Sequence, residues 1–335
     1  MRAAFYLSAL VFAAAPAWAL DCAKAKAPAE LAICGDPAAE AADATMTKAY
    51  DALALKLPPP QKTALLISQR RWLKRRADVC LGREGDRIAS CLNDETQARR
   101  AFLSGEPMSG PAPAQTFVPV LIQHVGKPNQ YDLDVTALKF SDPNLPGEKL
   151  FNAKIDALLK EVPKIDQSDI RQNMVYSYVL DVSAPFASAK FAFGHIELYD
   201  FSGGAHGNSS TSNFAIDLQS GKELSFSDLF EPAARQKFVA SCLEQIKQQK
   251  HEKMPDDPYG VISAEEQKKT IEDSIKDLTR WSFSADKAEV TFDPYALGAY
   301  FEGSYACDFP AAVLRPYLKL DYLAQEAPKD SSPSK

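Results

Sequence analysis

The sequence has few of the residues on which enzymes and metal sites depend. Only 4 of its 335 residues are histidines, and no two of them have the spacing of metal ligands on one helix. It contains no Gly-x-Ser-x-Gly, phosphate-loop or dinucleotide-binding motif, and no Cys-x-x-Cys pair. These absences argue against the common hydrolase, nucleotide-dependent and zinc-binding classes. We therefore expect no cofactor, no metal and no catalytic residue.

Long hydrophobic runs are lacking after the N-terminus. Residues 1–19 combine a positive start, an apolar run from Phe5 to Ala15 and the small-x-small sequence Ala17-Trp18-Ala19, which is typical of a signal peptide. Asp21, rather than a small residue, precedes Cys22, which argues against a lipoprotein. The sequence thus predicts a periplasmic or secreted protein without a membrane span.

Positive charge is also in deficit, and unevenly so. The formal net charge is −6 at pH 7, and it divides into +1 over residues 1–19, +3 over residues 20–105 and −10 over residues 106–335. An acidic surface repels nucleic acid and anionic membranes and attracts cationic partners, although an ordinary soluble surface produces the same imbalance. We expect no nucleic-acid partner.

Cysteine is present in an even number, which favours disulfide bonds in an exported protein. A reactive or metal-binding thiol is the weaker alternative, because no histidine pair accompanies the cysteines. The six candidates for disulfide bonds are Cys34, Cys80, Cys22, Cys91, Cys242 and Cys307.

Residues 20–105 are predicted to form a helical module. Ala38–Leu57 is rich in alanine and ends at three consecutive prolines, Gln61–Val79 has helical periodicity, and Leu92–Leu103 adds a third helix. The short proline connection makes the first two helices antiparallel.

This hairpin leads to a prediction of the disulfide pairing. Cys34 lies just before the first helix and Cys80 just after the second, so the antiparallel arrangement places them side by side. We therefore predict a Cys34–Cys80 bond and, from the remaining pair, a Cys22–Cys91 bond.

The same module resembles a known family. The matching residues are Cys22, Glu30-Leu-Ala-Ile-Cys34, Tyr50, Gln69-x-x-Trp72-x-x-x-Arg76-x-x-x-Cys80, Cys91-Leu92 and Arg99. Together they are similar to the LprI-type lysozyme-inhibitor N-terminal domain. The family carries an acidic residue directly after the arginine, whereas this chain has Ala77 there and Asp78 one place later. The resemblance implies binding or inhibition of lysozyme.

Residues 106–116 are predicted to be a proline-containing linker, and the pattern then changes to that of an α+β domain over residues 117–322. Residues 323–335 are predicted to be a disordered tail. The expected fold class is α+β, with a disulfide-bonded helical module followed by a mainly antiparallel sheet and packed helices.

Cys242 falls on a predicted helix and Cys307 on a predicted strand, which favours a bond between helix and sheet. The predicted strands are Phe117–Val125, Tyr131–Phe140, Met174–Val182, Phe191–Phe201 and Ser212–Leu218, followed by strands near Trp281–Ser284, Glu289–Phe292 and Tyr305–Asp308.

Residues 118–322 carry a second resemblance. It rests on Gly203-Gly204-Ala205-His206-Gly207, Asp217-Leu-x-Ser-Gly221-Lys222-x-Leu224, Asp228-Leu229-Phe230 and Phe292-x-Pro294-Tyr295-x-x-Gly298-x-Tyr300-x-x-Gly303. These motifs resemble the domain found in the extracellular part of the lysozyme-sensing anti-sigma factor RsiV and in the peptidoglycan deacetylase PdaC. The resemblance implies a domain of the bacterial cell envelope.

The glycine-rich motif also contains the most specific histidine of the chain. His206 is a candidate ligand or base, but we favour a residue that pins the loop by bonding a backbone carbonyl, because no nucleophile accompanies it. His195 and Glu197 share a strand face and are expected to form a hydrogen-bonded polar pair rather than an acid–base pair. Glu302 and Asp308 are a further possible carboxylate pair.

Three functional hypotheses follow from the residues and resemblances. The first is a periplasmic binding protein whose partner is lysozyme or another cationic wall hydrolase. The second is a module that binds peptidoglycan or another envelope glycan, with Tyr199, Phe201, Tyr295 and Tyr300 as stacking residues. The third is a wall hydrolase that uses His206. Candidate partner-binding residues are Gly203, Gly204, Ala205, His206, Gly207, Tyr295 and Tyr300, and the helical-module motif is Gln69, Trp72 and Arg76.

Overall fold

The computed structural model describes residues 20–83, 85, 87–113, 115–166, 173–256, 262–320 and 322. The signal peptide predicted for residues 1–19 and the tail predicted for residues 323–335 lie outside the described residues. The chain divides into two compact units, the first made of Met1–Leu57 with Arg75–Arg100 and the second of Pro58–Lys74 with Ala101–Lys335. The module boundary at residue 105 stays a prediction.

Four helices form the N-terminal part of the chain, one more than the sequence predicts. Three of them begin with a proline, whose fixed φ suits the first helical turn and whose missing N–H is not needed there. Asp36 caps the second helix by accepting hydrogen bonds from Ala38 N and Ala39 N, both at 2.9 Å. The helices are α1 (Pro28–Cys34), α2 (Pro37–Lys56), α3 (Pro59–Leu81) and α4 (Arg87–Ser104).

The disulfide bonds of the first unit are Cys22–Cys34 and Cys80–Cys91. The predicted bonds Cys34–Cys80 and Cys22–Cys91 are wrong. The unpredicted helix α1 ends at Cys34 and brings it back beside the N-terminal segment, while Cys91 lies just across the turn that follows α3. Both bonds close short loops, with sequence separations of 12 and 11 residues.

Arg76 of the helical-module motif is an interior residue of the first unit. Its guanidinium lies 3.3 Å from Asp43 Oδ1 and donates to Thr96 Oγ1 at 2.7 Å. Burial lowers the pKa of Arg76, and the Asp43 carboxylate opposes that effect. Trp72 of the same motif is buried and Gln69 half-buried. The motif therefore describes packing of the helices rather than an exposed binding surface.

The larger sheet of the second unit has six strands. Its strands follow chain order and are antiparallel, except that β2 and β3 run parallel. The parallel step requires a crossover, which contains helix α5 (Pro146–Lys160). The strands are β1 (Phe117–His124), β2 (Tyr131–Phe140), β3 (Tyr176–Ala187), β4 (Phe191–Phe201), β5 (Asn208–Asp217) and β6 (Lys222–Glu223).

A three-stranded antiparallel sheet follows, with α7 packed against it. Phe238 of α7 contacts the rings of Trp281 and Phe309, with centroids 5.6 and 5.0 Å apart. The predicted bond between helix and sheet is confirmed, since Cys242 of α7 is joined to Cys307 of the third strand. The elements are α6 (Phe226–Leu229), α7 (Pro232–Lys253), α8 (Ala264–Lys276), β7 (Trp281–Phe283), β8 (Lys287–Phe292), β9 (Tyr305–Pro310) and α9 (Ala311–Leu314).

Arg71 explains why the first part of α3 groups with the second unit. Its guanidinium donates to Gln123 Oε1 at 3.1 Å, to His124 O at 3.0 Å and to Asp132 Oδ1 at 2.7 Å, and also to Leu133 O. A planar guanidinium with several donors suits this fork of oxygen acceptors. Residues 58–74 are thereby fixed to strands β1 and β2.

Part of the segment predicted to be a linker pairs with strand β3. Met108 N donates to Ala184 O at 2.9 Å, and Ser109 Oγ donates to Pro185 O at 2.7 Å. Ser109 O also accepts from Ala187 N at 3.2 Å. These bonds attach residues 108 and 109 to the second unit. In the described part of the chain, no helix is both long and apolar enough to cross a membrane.

Candidate functional site

The glycine-rich motif forms the turn between β4 and β5. Gly203 and Gly204 have φ values of 107° and 103°, which glycine adopts without steric cost. Gly207 is required for space instead, because a Cβ atom there would lie 2.4 Å from Cζ of Tyr199. The sequence of the motif thus follows from the shape of this turn.

His206 extends from the turn and is held on three sides. Its Nδ1 lies 2.9 Å from Gly207 O, and its Nε2 lies 3.2 Å from the hydroxyl oxygen of Tyr295. Its ring stacks on Tyr300, with centroids 3.9 Å apart and 15° between the planes. The bond to a carbonyl is the contact expected of a residue that pins the loop.

The structure therefore joins two motifs that are far apart in sequence. His206 comes from the β4–β5 turn, whereas Tyr295 and Tyr300 come from the segment between β8 and β9. Tyr300 completes the junction by donating from its hydroxyl to Gly207 O at 3.2 Å. We call His206, Tyr295 and Tyr300 the aromatic patch. Of the other candidates, Gly203, Gly204 and Ala205 form the turn beside it.

Tyr295 is the most unusual residue of the aromatic patch. Its φ is 73°, a left-handed conformation in which a bulky side chain is strained. It is nevertheless 58 % exposed. Phe301, in the same segment, is 75 % exposed. Exposed aromatic rings on residues with a strained backbone are more typical of a binding surface than of a core.

Asp293 fixes the start of the segment that carries Tyr295. Its Oδ1 accepts hydrogen bonds from Thr211 N at 2.9 Å and Thr211 Oγ1 at 2.8 Å, and its Oδ2 accepts one from Arg280 at 2.8 Å. Thr211 belongs to β5, so these bonds tie the segment to the strand that follows the glycine turn.

Glu302 fixes the end of the same segment from within the core. Its carboxylate accepts hydrogen bonds from Lys250 Nζ at 2.8 Å, from the Tyr305 hydroxyl at 2.6 Å and from Ala299 N at 2.6 Å. Side-chain exposure is 2 % for Lys250 and 1 % for Glu302. The Lys250–Glu302 pair is therefore a buried ion pair that supports the aromatic patch.

The ionisation of this buried group follows from its contacts. Burial alone would raise the pKa of Glu302, but the hydrogen bonds from Lys250, Tyr305 and Ala299 outweigh it and lower the pKa. Burial and the neighbouring carboxylate raise the pKa of Tyr305. The two carboxylates suggested as a pair have different cation partners, since Lys250 donates to Glu302 at 2.8 Å and Lys287 donates to Asp308 at 2.6 Å.

His195 lies at a second polar site, in the middle of β4. Its Nδ1 is 2.7 Å from Asn213 Oδ1, and its Nε2 is 3.1 Å from Glu197 Oε1. The Asn213 amide nitrogen donates to Thr279 O at 3.0 Å, which orients its oxygen toward the imidazole. Both ring nitrogens of His195 thus face acceptors, an arrangement that favours the protonated ring. The expected polar pair of His195 and Glu197 is present.

His195 predicts a pH-dependent stability. Burial alone would lower its pKa, but hydrogen bonds to Glu197 and Asn213 and the nearby carboxylates raise it overall. The stabilising contribution is complete below the unfolded histidine pKa and is lost as the pH rises through the folded value. Urea unfolding at pH 6 and pH 8 should therefore show lower stability at the higher pH.

The matched variants separate His195 from the other histidines. His195→Gln should remove this pH dependence and cost about 1–2 kcal/mol at pH 6 through lost hydrogen bonds. His251→Gln, at an exposed position, should have the same free energy of unfolding at pH 6 as the wild type. An undiminished pH dependence in His195→Gln would contradict the assignment.

The contacts of these sites suit recognition better than proton transfer. Both nitrogens of His206 are engaged, one by a backbone carbonyl and the other by a tyrosine hydroxyl. Among the described residues, no group of three or more His, Cys, Asp or Glu side chains is arranged to hold a metal ion. Sequence reasoning identified His206, Tyr295 and Tyr300 but missed Lys250, which lies in a polar helical run without any distinguishing signal.

Comparisons with known proteins agree with the two-part reading of the sequence. Residues 22–103 match the family model "Lysozyme inhibitor LprI", and residues 227–312 match the model of DUF3298, a protein family of unknown function. The prediction of an LprI-type segment followed by a domain of a second family is confirmed. The second match includes Tyr295 and Tyr300, whereas the glycine turn precedes it.

Solved structures similar to this chain include two DUF3298 proteins. One is a DUF3298 family protein from Pseudomonas aeruginosa, with 17 % identity, coverage of 62 % of this chain and 94 % of that chain, and a TM-score of 0.37. The other is a DUF3298 family member from Bacteroides fragilis, with 15 % identity, the same 62 % and 94 % coverage and a TM-score of 0.41. No curated protein matches the chain.

Proposed function

We propose that this chain, which carries an LprI segment followed by a DUF3298 segment, is an exported protein that binds and inhibits a lysozyme-type wall hydrolase. The observation that carries the proposal is the match of residues 22–103 to the lysozyme-inhibitor model. The two disulfide bonds of that segment, Cys22–Cys34 and Cys80–Cys91, hold its helix ends. A rigid binding segment loses little conformational entropy when it meets a partner.

Three disulfide bonds support export of the protein. They pair all six cysteines of the chain, and such bonds persist in oxidising compartments such as the periplasm and the extracellular space. Hydrolases that attack the cell wall act in the same compartments. Location and proposed partner therefore agree.

Charge supports a cationic partner. The net charge of −10 over residues 106–335 outweighs the +3 of residues 20–105, so the protein as a whole attracts a basic enzyme and associates with it faster at low salt. We infer that inhibition arises by covering the substrate cleft of the hydrolase, without chemistry on the part of this chain. The protein is then a binding protein and not an enzyme.

An inhibition assay with the mature chain tests this proposal. Residues 20–335 should slow the lysis of wall suspensions by a c-type or a g-type lysozyme and give a calorimetric binding signal that weakens with salt. The protein alone should release no wall fragments.

A disulfide variant serves as the control for the binding segment. Cys22→Ala/Cys34→Ala frees the end of α1 and should weaken inhibition, whereas Val125→Ala, at a position 60 % exposed on the second unit, should not. Absence of both binding heat and inhibition with the two lysozymes would refute the proposed function.

A further inference from the structure

We propose that the aromatic patch binds the pyranose rings of an uncharged glycan, with Tyr295 as the main contact. This ligand is separate from the hydrolase proposed above, and the site lies on the second unit.

The backbone of Tyr295 shows that its side chain is retained at a cost. Tyr295 has a φ of 73°. Among the described non-glycine residues, only Ala112 and Asn129 also have a positive φ. Glycine takes this conformation freely, and the same segment uses it at Gly303, with a φ of 71°. A tyrosine here is strained, yet its ring is 58 % exposed. Burial in the core therefore does not explain its presence.

The rings of the patch form an angled surface. His206 and Tyr300 are stacked, while Tyr295 is inclined by 40° to Tyr300 with centroids 5.4 Å apart. The apolar C–H faces of a pyranose pack against such rings, and burying that contact releases water from both surfaces. Held by Asp293 on one side and Glu302 on the other, the rings need little reorganisation to bind.

The hydroxyl of Tyr295 adds a polar contact at the edge of this surface. His206 Nδ1 faces the Gly207 carbonyl oxygen and so carries the proton. In the neutral ring, Nε2 is then an acceptor, and the Tyr295 hydroxyl donates to it. The oxygen of that hydroxyl keeps lone pairs that can accept from a sugar hydroxyl. His206 thus orients Tyr295 as well as stacking on Tyr300.

The charge of the domain selects among glycans. Residues 106–335 carry a net charge of −10, which repels polyanionic polymers. Near the patch, the Asp293 carboxylate accepts hydrogen bonds from Thr211 and Arg280. Arg280 balances its negative charge, so Asp293 does not favour a basic ligand. Neutral hexose or N-acetylhexosamine units fit these conditions, because they combine apolar faces with uncharged hydroxyl groups.

Calorimetric titration of the full mature chain tests the inference without any enzyme present. The probes are tetra-N-acetylchitotetraose and cellotetraose, which distinguish acetamido sugars from plain hexoses. We expect at least one to bind with a dissociation constant below about 10 mM. Tyr295→Gly and Tyr295→Ala should each weaken that binding by about tenfold or more, whereas Val125→Ala should bind like the wild type.

Thermal melts of the same variants show whether lost binding reflects lost structure. Tyr295→Gly relieves the left-handed backbone and should melt at or above the temperature of Tyr295→Ala, which keeps the strain. Lack of binding to both sugars overturns the inference, and so does wild-type affinity in Tyr295→Gly. A lower melting temperature for Tyr295→Gly than for Tyr295→Ala would overturn its strain argument. None of these results bears on inhibition of the hydrolase.

Discussion

Replacing Lys250 with methionine should lower the free energy of unfolding by about 3–5 kcal/mol, the range found when one partner of a buried ion pair is removed. Lys250 and Glu302 have side-chain exposures of 2 % and 1 % and lie 2.8 Å apart. Without the ammonium group, the buried Glu302 carboxylate loses the one ion-pair partner that the described residues give it. Water cannot replace the lost partner unless the core opens.

Urea unfolding of matched variants measures this effect. Lys253→Met is the control, because Lys253 lies near the surface and the hydrogen bonds described for its Nζ go to the backbone oxygens of Glu302 and Ser304. This variant should lower the free energy of unfolding by about 1 kcal/mol. The double variant Lys250→Met/Glu302→Leu removes both charges and should recover most of the loss. Equal losses in Lys250→Met and Lys253→Met would contradict the buried-pair assignment.

The pH dependence of the wild type provides a second check on Glu302. Its pKa is lowered in the folded state, so its stabilising contribution is present above the pKa of an unfolded glutamate and is lost as the pH falls through the folded value. In Lys250→Met the carboxylate loses its main stabilising partner. Acid should then destabilise the variant less than it destabilises the wild type.

Removal of the third disulfide bond should have an effect of similar size. Cys242 and Cys307 are 65 residues apart, and a loop of this length corresponds to about 4 kcal/mol in the chain-entropy model. Both cysteines are fully buried in the core that contains Phe238 and Trp281. Cys242→Ala/Cys307→Ala should therefore lower the melting temperature by several degrees or more.

The shorter bonds of the first unit are the controls for this prediction. Cys22 and Cys34 are only 12 residues apart, so Cys22→Ala/Cys34→Ala should cost about 3 kcal/mol. In the wild type, a mild reductant should reduce the Cys242–Cys307 bond slowly, because both residues have 0 % exposure. An unchanged melting temperature after loss of Cys242 and Cys307 would contradict the stabilising role of the bond.

Two strands of the second unit are predicted from the sequence with the bounds that the structure shows. Tyr131–Phe140 and Phe191–Phe201 contain several aromatic and β-branched residues, and each is followed by turn residues. Strand β3 continues to Ala187 beyond its predicted end at Val182. Pro185 argues against a strand there, but a shift in register between Ser183 and Phe186 accommodates it.

Pairings between distant segments were not predictable in the same way. The parallel alignment of β2 and β3 depends on the crossover through α5, and no local pattern encodes it. The disulfide pairing failed for a related reason, because it depended on whether Pro28–Cys34 is helical. Short loops close at a lower entropic cost than long ones, and the observed bonds of the first unit are the local ones.

The candidate site was half predictable. The glycine turn and the Tyr295–Tyr300 segment were each identified from sequence, since their glycines and aromatic residues form distinct motifs. Their contact through His206 and Tyr300 is a property of the tertiary structure. The ion-pairing role of Lys250 cannot be predicted from the sequence, because a lysine in a polar run is usually exposed. Lys250 has this role only because it is buried beside Glu302.

The Cys242–Cys307 bond also affects how the protein survives proteolysis. It encloses the end of α7, all of α8 and strands β7 and β8 together with the segment that carries Tyr295. A single cut anywhere between the two cysteines leaves both fragments covalently joined. In a compartment that contains proteases, a nicked molecule would keep Tyr295 attached to the sheet that holds His206, and the damage would appear only on a reducing gel.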